Sequence, residues 1–142
     1  MSTFENTLTI NRTVEDVFDY LAQFENVPRW NYAITETSKT SDGPVGIGST
    51  YRQTRSIPQP AEESFEVTGF DPSKRLEIRG QLGPFPAVVS YVLEPISGGT
   101  LLRNTIELEV RGALRLAGPV LTARVKSAVA ANLEVLRQLL EA

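Results

Sequence analysis

From Phe4 to Ile10 apolar and polar residues take turns: Phe4, Leu8 and Ile10 fall on one side, Glu5, Thr7 and Thr9 on the other, and Asn6 interrupts the apolar side. This period of two predicts a half-buried strand. The period then changes. Thr13 followed by Asp16 resembles a capping box, and Val14, Val17, Phe18 and Leu21 recur at helical spacing, which predicts an amphipathic helix ending near Phe24. Its charges Glu15, Asp16 and Asp19 lie early, where the helix dipole favours them. Pro28 either closes that helix or opens a second short one through Arg29, Trp30 and Tyr32.

From about Ile34 to Val110 the chain reads as a meander of strands. The punctuation is Ser41-Asp42-Gly43-Pro44, Ile57-Pro58-Gln59-Pro60, Asp71-Pro72-Ser73-Lys74, Gly83-Pro84 with Pro86 behind it, and Ser97-Gly98-Gly99-Thr100. Each group supplies a fixed or a permissive φ where the backbone reverses. About six strands follow the first helix, all antiparallel, because such short connections cannot cross over to a parallel neighbour. After Arg111-Gly112 the period becomes helical again: Leu121, Val125, Val129, Leu133, Leu136 and Leu140 form one stripe, with Pro119 in the first turn. A helix from about Pro119 to Glu141 is about 34 Å long, enough to cross a sheet.

The alternation also assigns faces. Phe65 and Val67, Leu76 and Ile78, Tyr91 and Leu93, and Ile106 and Leu108 point one way; Glu66, Glu77, Arg79, Glu107 and Glu109 point the other. One face is wet, and the C-terminal helix is the element long enough to cover the dry one. The expected architecture is α+β: a strongly curved antiparallel sheet of about seven strands around a long C-terminal helix, with one or two short helices after the first strand. A bent sheet around one helix leaves space between them, and that space is the candidate ligand site. Residues 1–142 read as a single domain, since no repeat, linker or low-complexity tract divides them.

Composition narrows the chemistry. Among the 142 residues there is no Cys and no His, which removes disulfides, thiol nucleophiles, the usual zinc ligands and the usual base of serine hydrolases. A net charge of −3 without a basic run argues against nucleic acid as a partner. No apolar stretch approaches a membrane span, and Met1–Asn6 lacks the basic and apolar regions of a secretory signal, so the expectation is a cytoplasmic protein without stable membrane insertion. Gly46-Ile47-Gly48 lacks a third glycine and precedes a strand, so it is no dinucleotide fingerprint, and no cofactor is expected. Asn11-Arg12-Thr13 matches a glycosylation acceptor that an unexported chain does not use. Glu62 and Glu63, being adjacent, fall on opposite strand faces and are expected to be solvated, as are Glu107 and Glu109.

Val14-Glu15-Asp16-Val17-Phe18-Asp19-Tyr20-Leu21 running into Phe24-Glu25-Asn26-Val27-Pro28-Arg29-Trp30, then Gly46-Ile47-Gly48-Ser49-Thr50-Tyr51, Tyr91-Val92-Leu93-Glu94-Pro95 and Gly98-Gly99-Thr100-Leu101-Leu102, resemble the START-related SRPBCC superfamily. The resemblance is to its polyketide cyclase/dehydrase branch and covers almost the whole chain in order. It implies the helix-grip fold. It also places Trp30 near the cavity rim and turns Tyr51 inward. Members bind lipids, sterols, hormones and polyketides, and only some are enzymes, so the resemblance does not choose among functions.

The expected site follows. Trp30 either stacks on a ligand or simply packs. With Tyr51 inward, Gln53 and Arg55 share its face and bring polar groups into an apolar pocket; otherwise they are solvated tips of an edge strand. Asn104 lies on the face of Leu102, Ile106 and Leu108, and a buried amide there needs partners in the protein, in water or in a ligand. Asn132, between Val129 and Leu133, poses the same question. Phe65, Tyr91, Ile106, Val125 and Val129 complete the expected walls. The first functional reading is a noncatalytic protein that binds a small hydrophobic or amphipathic, lipid- or polyketide-like molecule. The second is a polyketide cyclase or dehydratase working in the same cavity, with Tyr51, Arg55 or an inward carboxylate in place of His or Cys. A third, an interaction module or homodimer using the outer sheet face or the Leu114–Leu116 loop, gains support only from a dimer or a large apolar patch outside.

Overall fold

The computed structural model describes residues 2–110 and 112–142. Strand β1 (Ser2–Ile10) is followed by helix α1 (Val14–Ala22), a 3-10 turn (Phe24–Asn26) and the short helix α2 (Val27–Trp30). Thr13 caps α1 as the sequence predicts, its hydroxyl accepting from the Asp16 N–H at 3.1 Å. The predicted helix ends earlier, at Ala22, where Gln23 leaves the helical region and the 3-10 turn begins. Pro28 does open a second helix, standing in its first turn.

Six further strands follow: β2 (Ile34–Lys39), β3 (Thr50–Arg55), β4 (Ala61–Asp71), β5 (Arg75–Leu82), β6 (Phe85–Ile96) and β7 (Gly99–Leu108). They join β1 in one seven-stranded sheet of order β1-β7-β6-β5-β4-β3-β2, every pair antiparallel. The chain thus lays down β2 to β7 as neighbours and closes the far side against its first strand. Gly99 makes that closure: a Cβ there would sit 2.1 Å from the Ile10 carbonyl oxygen, a separation only glycine permits. Register shifts in β2, at Ile34/Glu36, and in β4, at Val67/Gly69, mark bulges that bend and twist the strands. Pro86 and Gly99 belong to strands rather than turns, so the β5–β6 and β6–β7 reversals are made by the Gly83–Pro84 and Ser97–Gly98 pairs.

The face assignment holds, and the outer face carries ion pairs both along a strand, Arg75–Glu77 within β5 at 2.5 Å, and across strands, Arg103 of β7 with Glu94 of β6 at 3.8 Å. The inner face is covered by helix α3 (Gly118–Glu141), which follows a 3-10 segment (Gly112–Ala117). Its backbone comes closest to β1 and α2. The Asn6 amide donates to the Lys126 carbonyl at 3.4 Å, and Glu141 accepts from the Asn11 N–H at 2.9 Å, so α3 runs beside β1 in the same direction. Lying along that edge, it stands off the middle of the sheet. Leu133, Leu136 and Leu140 are buried, whereas Leu121, Val125 and Val129 are only partly covered. Leu116 is 95 % exposed; the Leu114 side chain, part of the same expected interaction loop, lies outside the described residues. Among the described residues no helix is long and apolar enough to cross a membrane. This is the helix-grip fold.

Candidate cavity between the sheet and the C-terminal helix

An aromatic cluster fixes the entry helices on the sheet. The Phe24 ring lies 4.9 Å from Tyr51 and 5.2 Å from Phe65, and Tyr51 and Phe65 stack at 5.1 Å with 10° between their planes. Such pairs add about 0.5–1.5 kcal/mol each beyond burial. The cluster locks the 3-10 turn to β3 and β4, and with it the position of Trp30 at the end of α2.

Beside this cluster is a cavity of about 80 Å³. The sheet explains why it exists. Across one row Phe65 faces Gly80, Gly80 faces Ala87, and Ala87 faces Leu108, so two of the smallest side chains occupy the middle of the sheet under the place where α3 stands away. Gly80 cannot be larger: a Cβ there would approach the Phe65 Cβ and the Ser64 carbonyl oxygen to 2.6 Å. Phe65, Ile78, Val89, Tyr91 and Ile106 form the floor, Val129 and Asn132 the roof, and Leu21, Phe24, Val27 and Trp30 the end wall. Gln81 on the rim is exposed, which puts the mouth near the β5–β6 hairpin. The volume is below the roughly 300–1,000 Å³ of pockets that enclose drug-sized ligands. It is roughly half the engineered apolar cavity of about 150 Å³ that admits benzene. As it stands, the cavity suits a compact ligand or the head of a longer one.

Polar groups enter this apolar space at one end. Arg55 and Glu63 form a buried ion pair, Nε to Oε2 at 2.7 Å, with side chains 8 % and 2 % exposed. Gln53 donates to the other Glu63 oxygen at 2.9 Å, and Arg55 Nη1 reaches the Ile57 carbonyl at 3.4 Å. Register produces this triad: Gln53 stands directly opposite Glu63, and Arg55 opposite Ala61, whose methyl leaves room for the guanidinium to reach back. The remaining Arg55 nitrogen, Nη2, has no partner among the described residues. Trp30 Nε1 is buried with none either. Burial alone pushes the Tyr91 hydroxyl well above the usual phenol range.

Of the ten residues expected at the site, Trp30, Gln53, Arg55, Phe65, Tyr91, Ile106 and Val129 line the cavity. Tyr51, Asn104 and Val125 do not. Tyr51 is turned inward, but Phe24 and Phe65 close over it; its edge reaches a surface groove beside Asp19 and Glu25 instead. Burial, and then the Glu25 carboxylate, push its hydroxyl from 10.0 to about 12. Asn104 is buried with its amide turned along the sheet, Nδ2 donating to the Ser90 carbonyl at 3.1 Å, while its Oδ1 has no partner. Val125 sits one helical turn before Val129, past the end of the cavity. The expectation of a solvated Glu63 is overturned by the Arg55 pair; Glu62, on the opposite face, is indeed exposed and accepts from the Thr54 hydroxyl at 3.0 Å. The signal was present, since Glu63 continues the inward series of Phe65 and Val67.

Residues 1–141 match the model of a family described as polyketide cyclase/dehydrase and lipid transport. No curated protein matches the sequence. Several solved structures share the fold. The protein TTHA0849 from Thermus thermophilus superposes with a TM-score of 0.81 at 14 % identity, covering 98 % of this chain and 97 % of that one. The di-domain ARO/CYC StfQ from the steffimycin biosynthetic pathway gives 0.77 at 14 % identity over 96 % of this chain and 49 % of its own. Ara h 8.0201 gives 0.66 at 15 % identity over 95 % and 97 %. At these identities the likeness carries the fold alone, while the match to the family model spans nearly every residue. The chain belongs to the polyketide cyclase/dehydrase and lipid transport family.

Proposed function

We propose that this protein binds a small hydrophobic or amphipathic molecule, lipid- or polyketide-like, between its sheet and α3, without transforming it. The observation that carries this reading is a cavity with apolar walls and hydrogen-bonding groups left without partners at one end. Buried polar groups ordinarily find partners. Here Trp30 Nε1 and Arg55 Nη2, on residues that line the cavity, have none among the described residues, and a ligand held there can supply them. Val129 on the roof gives the test: Val129→Trp fills the cavity, and the folded variant, checked by circular dichroism, loses uptake of an apolar fluorescent probe. Undiminished uptake by the folded variant refutes the reading.

A second reading, a polyketide cyclase or dehydratase acting in the same cavity, draws on one feature. The unengaged Arg55 donor can stabilise an enolate oxygen. The site offers it no evident base. Both Glu63 oxygens are already held, and Tyr91, un-ionised near neutral pH like any phenol, is moved still further from the phenolate by burial. Turnover of poly-β-ketone analogues by the wild type would favour this reading over simple binding.

A further inference from the structure

The binding reading leaves open what kind of polar group the ligand carries, and the buried ion pair bears on this. Among the residues that line the cavity only Arg55 and Tyr91 are titratable. Arg55 is permanently charged, but Glu63 lies against it and takes up that charge through Oε2, while Gln53 holds Oε1 in place. The cavity wall is therefore electrically balanced before any ligand arrives. Among the lining side chains that can only donate, Trp30 Nε1 and one nitrogen of Arg55, Nη2, have no partner among the described residues. Both are donors with no acceptor capacity, so what they lack is an acceptor.

We infer that the cavity selects an uncharged ligand that presents an acceptor oxygen, such as a ketone, and that Glu63 sets this preference by neutralising Arg55. This rests on the binding reading above. A carbonyl satisfies the open donors and adds no charge. A carboxylate satisfies them equally but brings an uncompensated charge into a buried apolar space, which is costly without its own counter-ion. Glu63 acts on the ligand through Arg55 and is a specificity residue rather than a contact. Fatty acids and other free acids are thus the wrong class.

Acetophenone and benzoate differ in this respect and hardly in shape. Trp30, the chain's one tryptophan, supplies a single indole N–H resonance that reports from the cavity wall. In wild type near neutral pH, titration of that resonance should give acetophenone at least about tenfold tighter binding than benzoate. In Glu63→Gln the freed Arg55 charge should reverse the order, and benzoate should raise the melting temperature of that variant but not of wild type. If Glu63→Gln does not fold, the double variant Arg55→Met/Glu63→Met replaces the pair by apolar groups of similar size, and acetophenone should bind it about tenfold more weakly. Wild type that binds benzoate as tightly as acetophenone overturns this inference alone. So does an unchanged order in a folded Glu63→Gln, or undiminished acetophenone binding by the double variant. An indole resonance that neither probe moves overturns the binding reading, and this inference with it.

Discussion

The two halves of α3 carry one continuous apolar stripe in sequence and do different things in the fold. Leu133, Leu136 and Leu140 are sunk into the core, and Leu136 is wholly buried. Leu121, Val125 and Val129 follow the same spacing, yet each remains partly uncovered. The difference lies beneath the helix. Where it meets the large residues of the sheet it packs; where the sheet offers Gly80 and Ala87 it leaves a gap. One half holds the domain together, and the other roofs a space.

If that division is right, matched truncations in the two halves should differ sharply. Leu136→Ala should cost about 2–5 kcal/mol, the range for buried leucines whose surroundings cannot collapse. Val125→Ala should cost about 1 kcal/mol or less, as for a side chain still partly in water. Denaturant unfolding of both variants checks this, and equal losses would erase the distinction. The effect of Val129→Trp, described above, belongs to the second half: stability largely kept, probe uptake lost.

A smaller effect comes from Tyr51, which lies in the packed aromatic region rather than the cavity. Its hydroxyl titrates near 10.0 when free and at about 12 in the fold. The folded state therefore prefers the protonated form, since the unfolded chain loses the proton first. The stability from this source is fully present below about pH 10 and is lost as the pH climbs towards 12. Tyr51→Phe keeps the stack on Phe65 and removes the ionisable group. Over that window its stability should fall less steeply with pH than that of wild type, as alkaline unfolding curves would show; parallel curves would assign the loss elsewhere.

Much of this architecture is legible in the sequence, because strand and helix periods are local. The Thr13 cap, the antiparallel meander, the wet outer face and the long final helix all follow from residues close together in the chain. The cavity is less legible. That Gly80 and Ala87 lie side by side depends on the β5–β6 register, and the standing-off of α3 depends on its alignment along β1. Neither is encoded within a short window. Glu63 shows the same limit from another side. Its inward parity can be read from Phe65 and Val67, but a lone inward carboxylate makes little sense until the β3–β4 register delivers Gln53 and Arg55 to it. Tyr51 and Val125 do belong to the inner side of their elements. They fall outside the cavity because its length is set by neighbours far away in sequence.

Xenon examines the gap itself, without assuming any ligand, because it enters apolar cavities that side chains leave unfilled. A crystal of the wild-type protein under xenon pressure should show an atom between Ile106 and Val129, and one of Val129→Trp should show none there. A wild-type crystal with that space empty of xenon, its walls closed on one another, would mean that the sheet and α3 enclose no usable site.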